Sequence, residues 1–160
     1  MLGALLRGAV AGGVATWVMD VVTTYVQSFQ SPADKEREQA AWPHGQPSVD
    51  NLVDLAHSLV NAKPDRGQKA AAATITHYAL GILPGAGYAV LRRHVPLLGA
   101  GRGLAYGLLL WAVNDELLNT TLGLSGRPDA YPASSHVRGL IGHLALGVAT
   151  DVGIDLLGVV

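Results

Sequence analysis

Two histidines and two aspartates draw attention because each lies on a four-residue repeat of small or polar side chains within an otherwise apolar segment. The repeats read Gly8, Gly12, Thr16, Asp20, Thr24; then His77, Gly81, Gly85; then Gly99, Gly103, Gly107, Trp111, Asp115, Asn119; then Gly139, His143, Gly147, Asp151, Asp155. Imidazole nitrogens and carboxylate oxygens gathered in a bundle core make a donor set suited to zinc, iron or manganese. The same groups can take up and release protons. His77, His143, Asp20 and Asp115 are thus the candidate metal ligands, and Glu116 becomes an extra oxygen donor or a candidate catalytic base if its helix rotates slightly. Asp151 and Asp155 carry the fourth repeat further and, with Asp20 and Asp115, form a candidate proton path. A plainer alternative is two Asp–His pairs that bond helices to one another and hold no ion. The local signatures of a metalloprotease or a serine hydrolase, His-Glu-x-x-His and Gly-x-Ser-x-Gly, do not occur.

Side chains spaced by four share one face of an α-helix, so the elements that must carry these groups are helices with one smooth, polar face. Helices in lipid pack this way, because Gly, Ala, Ser and Thr let backbones approach where no hydrophobic drive exists between the helices. Gly8, Gly12, Gly81, Gly85, Gly103, Gly107, Gly139 and Gly147 are the expected packing positions. Composition agrees: 49% of the chain is apolar, 20 of its 160 residues are glycine and only 14% are charged, against about a quarter in soluble domains. A water-soluble bundle would need a charged outer face that these segments lack.

The expected fold is all-α, a four-helix transmembrane bundle forming one domain over residues 1–160, with spans at about 3–28, 70–93, 99–122 and 137–158. Arg92-Arg93 and Pro96 end the second span, and the third starts so soon after that the two should form a tight antiparallel hairpin. If Arg7, Lys69, Arg102 and Arg138 mark the entry points, Asp20 and Asp115 lie ~20 Å from the face where their helices begin. His77 and His143 then lie ~12 and ~8 Å from the opposite face, which puts all four groups at one level near the long loop.

That loop, residues 30–69, differs in character from the spans. Ser31-Pro32 is a helix start, with Ser as N-cap and Pro in the first turn, and it leads into the charged stretch Asp34 to Glu38. Pro43 and Pro47 interrupt the chain around His44. A second short helix, capped by Ser48, aligns Val49, Leu52, Val53, Ala56, Leu59 and Val60 on one side. It reads as an amphipathic helix lying on the bilayer or as a lid packed on protein. His44, His57 and His136 are expected in loops or at boundaries, exposed to solvent; should they fold over the cluster, they could sense pH, since imidazole titrates near ~6.5.

Net charge of −1 with no basic run argues against a nucleic-acid partner. The absence of cysteine excludes disulfides and thiolate metal sites. The first segment reads as a retained helix. Seven basic residues fall on the loop-bearing side, five of them in the long loop, and four on the other. Long loops count less than short ones in setting orientation, which favours both termini in the cytoplasm.

Four short motifs link the second half to a known family: Thr76-His77 with Gly87-Tyr88 eleven residues on, Gly103 and Gly107 before an aromatic stretch, Leu122-Gly123-Leu124 before Pro128, and Gly142-His143-Leu144. In these, residues 74 to 157 resemble the YagU-type family of uncharacterised bacterial inner-membrane proteins, and Gly8 to Gly13 match its Gly/Ala-rich first helix more loosely. The resemblance implies a multi-pass inner-membrane protein with a link to acid tolerance. Asp115 stands where that family is expected to carry a histidine.

The functional expectation is a small integral membrane protein holding a buried His/Asp cluster for metal binding or proton handling. It would work in the bilayer as a homo-oligomer or within a larger complex, with a divalent metal (Zn, Fe or Mn) as the cofactor in the metal-binding version. The alternative is a scaffold or accessory subunit with no chemistry of its own; whether the chain is an enzyme is open at this stage.

Overall fold

Sequence signals for starting and stopping helices account for most element boundaries. In the computed structural model, which describes residues 1–158, all regular structure is helical and no strand occurs among the described residues. Helix α1 runs Leu2–Ser28. Helix α2, Pro32–Ala41, starts where Ser31 Oγ accepts the Asp34 backbone N–H at 3.1 Å, with proline in the first turn. Helix α3, Ser48–Leu59, follows a 3₁₀ turn at Pro43–Gly45; its N-cap is Pro47, and Ser48 makes no capping bond. Helix α4, Arg66–Leu91, begins earlier than the apolar pattern suggests because Asp65 and Gln68 form a reciprocal capping box.

The fifth helix departs furthest from expectation. Gly101, Arg102 and Gly103 all have left-handed φ angles of 65°, 56° and 87°. The start of the third glycine repeat is therefore a turn, and helix α5 begins only at Leu104. It runs as α-helix over Leu104–Leu110, widens to a π-helix over Trp111–Leu118 and closes as α-helix over Asn119–Thr121. A 3₁₀ turn at Pro128–Ala130 then leads to helix α6, Ala133–Leu156.

Four long helices alternate in direction, with α1 packed between α4 and α6 and with α5 on the far side of α6. The expected tight hairpin of the second and third spans does not form. Helices α4 and α5 meet chiefly where Tyr88 stacks on Tyr106, ring centroids 4.3 Å apart. Each has a better partner elsewhere, for a steric reason. Gly8 and Gly12 on α1 lie against the backbone of Gly81 and Gly85 on α4, so closely that a Cβ at any of the four would strike the other helix. Gly107 on α5 meets His143 and Leu144 on α6, while Gly103 meets Gly147. Backbones this close gain dispersion and Cα–H···O contacts that a larger side chain would hold apart.

The buried core is accordingly small-residue and sparse, built from Ala11, Ala15, Tyr88, Ala89, Tyr106, Leu146 and Ile154. Large apolar side chains sit outside instead: Leu6, Val10, Val14, Trp17, Val21 and Tyr25 all lie exposed along α1. Buried threonines are satisfied within their own helices, with Thr16 donating to Gly12 O at 2.9 Å and Thr150 to Leu146 O at 2.7 Å. Two helices, α1 and α6, are long and apolar enough to cross a membrane. Helix α4, diluted by alanine, glycine and His77, and the segmented α5 do not meet that criterion.

Candidate functional site

All four long helices bring ionisable groups to the end of the bundle that carries α2 and α3. Helix α1 supplies Asp20 and α4 supplies His77, whose Nε2 donates to Asp20 Oδ1 at 2.7 Å. Helix α6 supplies His143, buried, whose Nδ1 donates to Gly139 O at 3.0 Å and lies 3.5 Å from Asp115 Oδ2 on α5. A third pair joins them: His136 Nδ1 donates to Glu116 Oε1 at 2.7 Å, while its Nε2 reaches Pro128 O at 3.0 Å.

The four expected metal ligands therefore form two separate pairs and not one donor set. Among the described residues no group of three or more His, Asp or Glu side chains is placed to hold a metal ion. The reason lies in bundle geometry. Asp20 is engaged at the α1–α4 seam, whereas Asp115 belongs to α5, on the far side of α6. Glu116, the candidate base, is occupied by His136, a histidine expected at a boundary and exposed.

The π-helix explains how Asp115 and Glu116 come to act together. Regular α-helical turns would put Trp111, Asp115 and Asn119 on one face and Glu116 a hundred degrees away. With i→i+5 bonding the turn widens, and residues four and five apart flank the same face. Trp111, Asp115, Glu116 and Asn119 all line one cavity of about 470 Å³, together with Glu38, Trp42, Tyr131, His136 and Arg138. A second cavity of about 220 Å³ lies deeper, lined by Thr16, His77, Pro84, Asn114 and His143 among others. Ser48, Asp115 and Asn119 line both. Pro84 has no N–H to give Leu80, and both residues border the deeper cavity, so this wall too has a broken helical hydrogen-bond ladder.

Helices α2 and α3 roof this end. Arg138 forks onto Glu38, Nη2 to Oε1 at 2.6 Å and Nη1 to Oε2 at 2.9 Å, and Ser135 Oγ donates to Oε2 at 2.6 Å. Burial pushes the Glu38 carboxyl up, but the bonds from Arg138 and Ser135 and the Arg138 charge outweigh it and hold the group below its ordinary value. Asn51 on α3 donates to Leu124 O at 2.9 Å, tying that helix to the loop after α5. Helix α3 is thus packed on protein as a lid, with its last residue Leu59 and the following Val60 left exposed.

Asp151 and Asp155 lie at the other end and do not extend a ladder from Asp20 and Asp115. Asp151 Oδ1 accepts from Tyr88 Oη at 2.6 Å and from Arg92 Nη1 at 2.7 Å, while Asp155 Oδ1 accepts from Arg92 Nη2 at 2.6 Å. Sequence reasoning missed Glu38, Trp42 and Tyr131 as cavity residues, and it had His136 only as a boundary histidine that could fold over the cluster. Arg138 was legible only as a boundary marker, and the charged run Asp34 to Glu38 held the one usable signal, a buried partner for it. No protein-family model, curated protein or solved structure matches the chain.

Proposed function

We propose that this chain is an integral membrane protein whose four long helices span the bilayer and whose imidazole–carboxylate pairs take up and pass protons at the loop-bearing end. The observation that carries the reading is the position of Asp115, which borders both cavities and has His143 on one side and the Glu116–His136 pair on the other. Ionisable groups in a membrane interior are costly to bury and by default point to a path for ions or protons. An apolar exterior over a glycine-lined interior supports the membrane setting.

In this reading the protein resides in a bacterial inner membrane with both termini cytoplasmic, and its resemblance to YagU-type proteins suggests a role in acid tolerance. A second reading, an accessory subunit of a larger membrane complex, draws on the outward stripe of α1, where Trp17 and Tyr25 are exposed among aliphatic side chains. Reconstitution into liposomes loaded with a pH-sensitive dye separates the two. Proton handling predicts acid-driven uptake above protein-free liposomes, abolished by Asp115→Asn. Flux equal to protein-free liposomes, or flux untouched by that substitution, removes the reading and leaves the accessory role.

A further inference from the structure

We infer that the larger cavity is a binding site for a small primary alkylammonium ion. Unlike proton handling, this concerns an organic ligand, and it stands or falls by binding in the absence of any gradient. The cavity's volume, about 470 Å³, falls in the range of small-molecule sites. Three aromatic side chains, Trp42, Trp111 and Tyr131, share its lining with three carboxylates, Glu38, Asp115 and Glu116.

The carboxylates differ in what they have left to accept. Both oxygens of Glu38 are used by Arg138 and Ser135. Glu116 Oε1 takes the His136 N–H, while among the described residues Oε2 receives none. Among the described residues, Asp115 Oδ1 accepts only a long bond of 3.2 Å from its neighbour Asn114, and Oδ2 has only the 3.5 Å approach of His143 Nδ1, which already donates to Gly139 O. Adjacent residues thus present oxygens short of donors, beside aromatic walls.

An anion would meet three carboxylates and find the one guanidinium, Arg138, already forked onto Glu38. A metal ion lacks a third ligand among the described residues. A primary ammonium has three N–H donors and a positive charge, enough to bridge Asp115 and Glu116. Its alkyl tail would bury against Trp42, Trp111 and Tyr131, whose faces also attract cations.

Two of the three tryptophans line the cavity, and the third, Trp17, faces outward. The intrinsic fluorescence of the full-length protein in detergent therefore reports occupancy. Titration with n-butylammonium chloride at constant ionic strength should give a saturable change, with affinity about tenfold weaker in Asp115→Asn and in Glu116→Gln. Tetramethylammonium, which carries the same charge but no N–H, should bind more weakly, and n-butanol should not compete. The inference is overturned by the absence of saturation, by an equal response to tetramethylammonium or n-butanol, or by unchanged affinity in Glu116→Gln. That variant keeps the size of a side chain that is 27% exposed and is the safeguard should Asp115→Asn fail to fold.

Discussion

At the end of the bundle where α4 passes to α5, Asp151 is closed in by Tyr88 and Arg92, and the Tyr88–Tyr106 stack seals the helices together. At the loop-bearing end the same four helices diverge around two cavities, and among the described residues Asp115 keeps only long polar contacts. Both ends carry aspartate on the same kind of glycine-rich helix. What separates them is the regularity of α5, which is α-helical beside the closed end and π-helical beside the open one. A carboxylate saturated by an arginine and a tyrosine holds helices together, whereas one left short of donors in a cavity wall is available for chemistry.

The sharpest way to break this contrast is to remove the arginine. Arg92→Met leaves Asp151, buried at 6% exposure, with a single donor, and stranding one half of a buried ion pair costs about 3–5 kcal/mol. Thermal unfolding in detergent should show a large loss for Arg92→Met and a change within about 1 kcal/mol for Asp115→Asn, whose carboxylate has no short ion pair to lose. Equal losses would mean that the open end is held by its aspartate as firmly as the closed one.

Glycine substitutions sharpen the comparison at smaller amplitude. A Cβ at Gly147 would run into the backbone of Gly103 and Gly107, which cannot move without separating α5 from α6. The nearest atoms to a Cβ at Gly139 would belong to the side chains of Asp115 and Trp111, at 3.3 and 3.4 Å. Overpacking against backbone should cost Gly147→Ala about 1–3 kcal/mol, while Gly139→Ala should cost less than about 1 kcal/mol as the cavity gives way. The same unfolding assay measures both, and a reversed order would contradict a loosely packed open end.

How much of this was legible before the structure varies with the range of the signal. The all-helical class followed from four-residue repeats, and the start of α2 from Ser31-Pro32, because both depend on near neighbours in sequence. The repeats also drew attention to His77, His143, Asp20 and Asp115, but periodicity fixes a face, not a partner. Which aspartate meets which histidine depended on α1, and not α5, being the neighbour of α4, a choice made by backbone contact between Gly12 and Gly81. The π-helix left no mark in Trp111 to Leu118, so the entry of Glu116 into the site could be written only on the condition that its helix rotated, and the widened turn that meets that condition could not be foreseen. The three left-handed residues after Ala100 shortened α5 in a stretch whose glycine spacing fits a helix equally well.

The smallest expected effect concerns the clasp that roofs the open end. Glu38 in the folded protein titrates below its ordinary 4.5, so the unfolded chain binds its proton first as acid is added. Its contribution to stability is therefore complete above about pH 4.5 and fades as the pH falls through the lower folded value. Glu38→Gln removes the charge that Arg138 needs, so the variant should be less stable than the parent at neutral pH and should lose less on acidification. Melting curves from about pH 7 down to about pH 3 should then converge at the acid end. Curves that stay parallel would mean that Arg138 contributes no more with the charged carboxylate than with a neutral amide. In that case the roof over the cavity would be held by Asn51 and α3 packing alone, independently of pH.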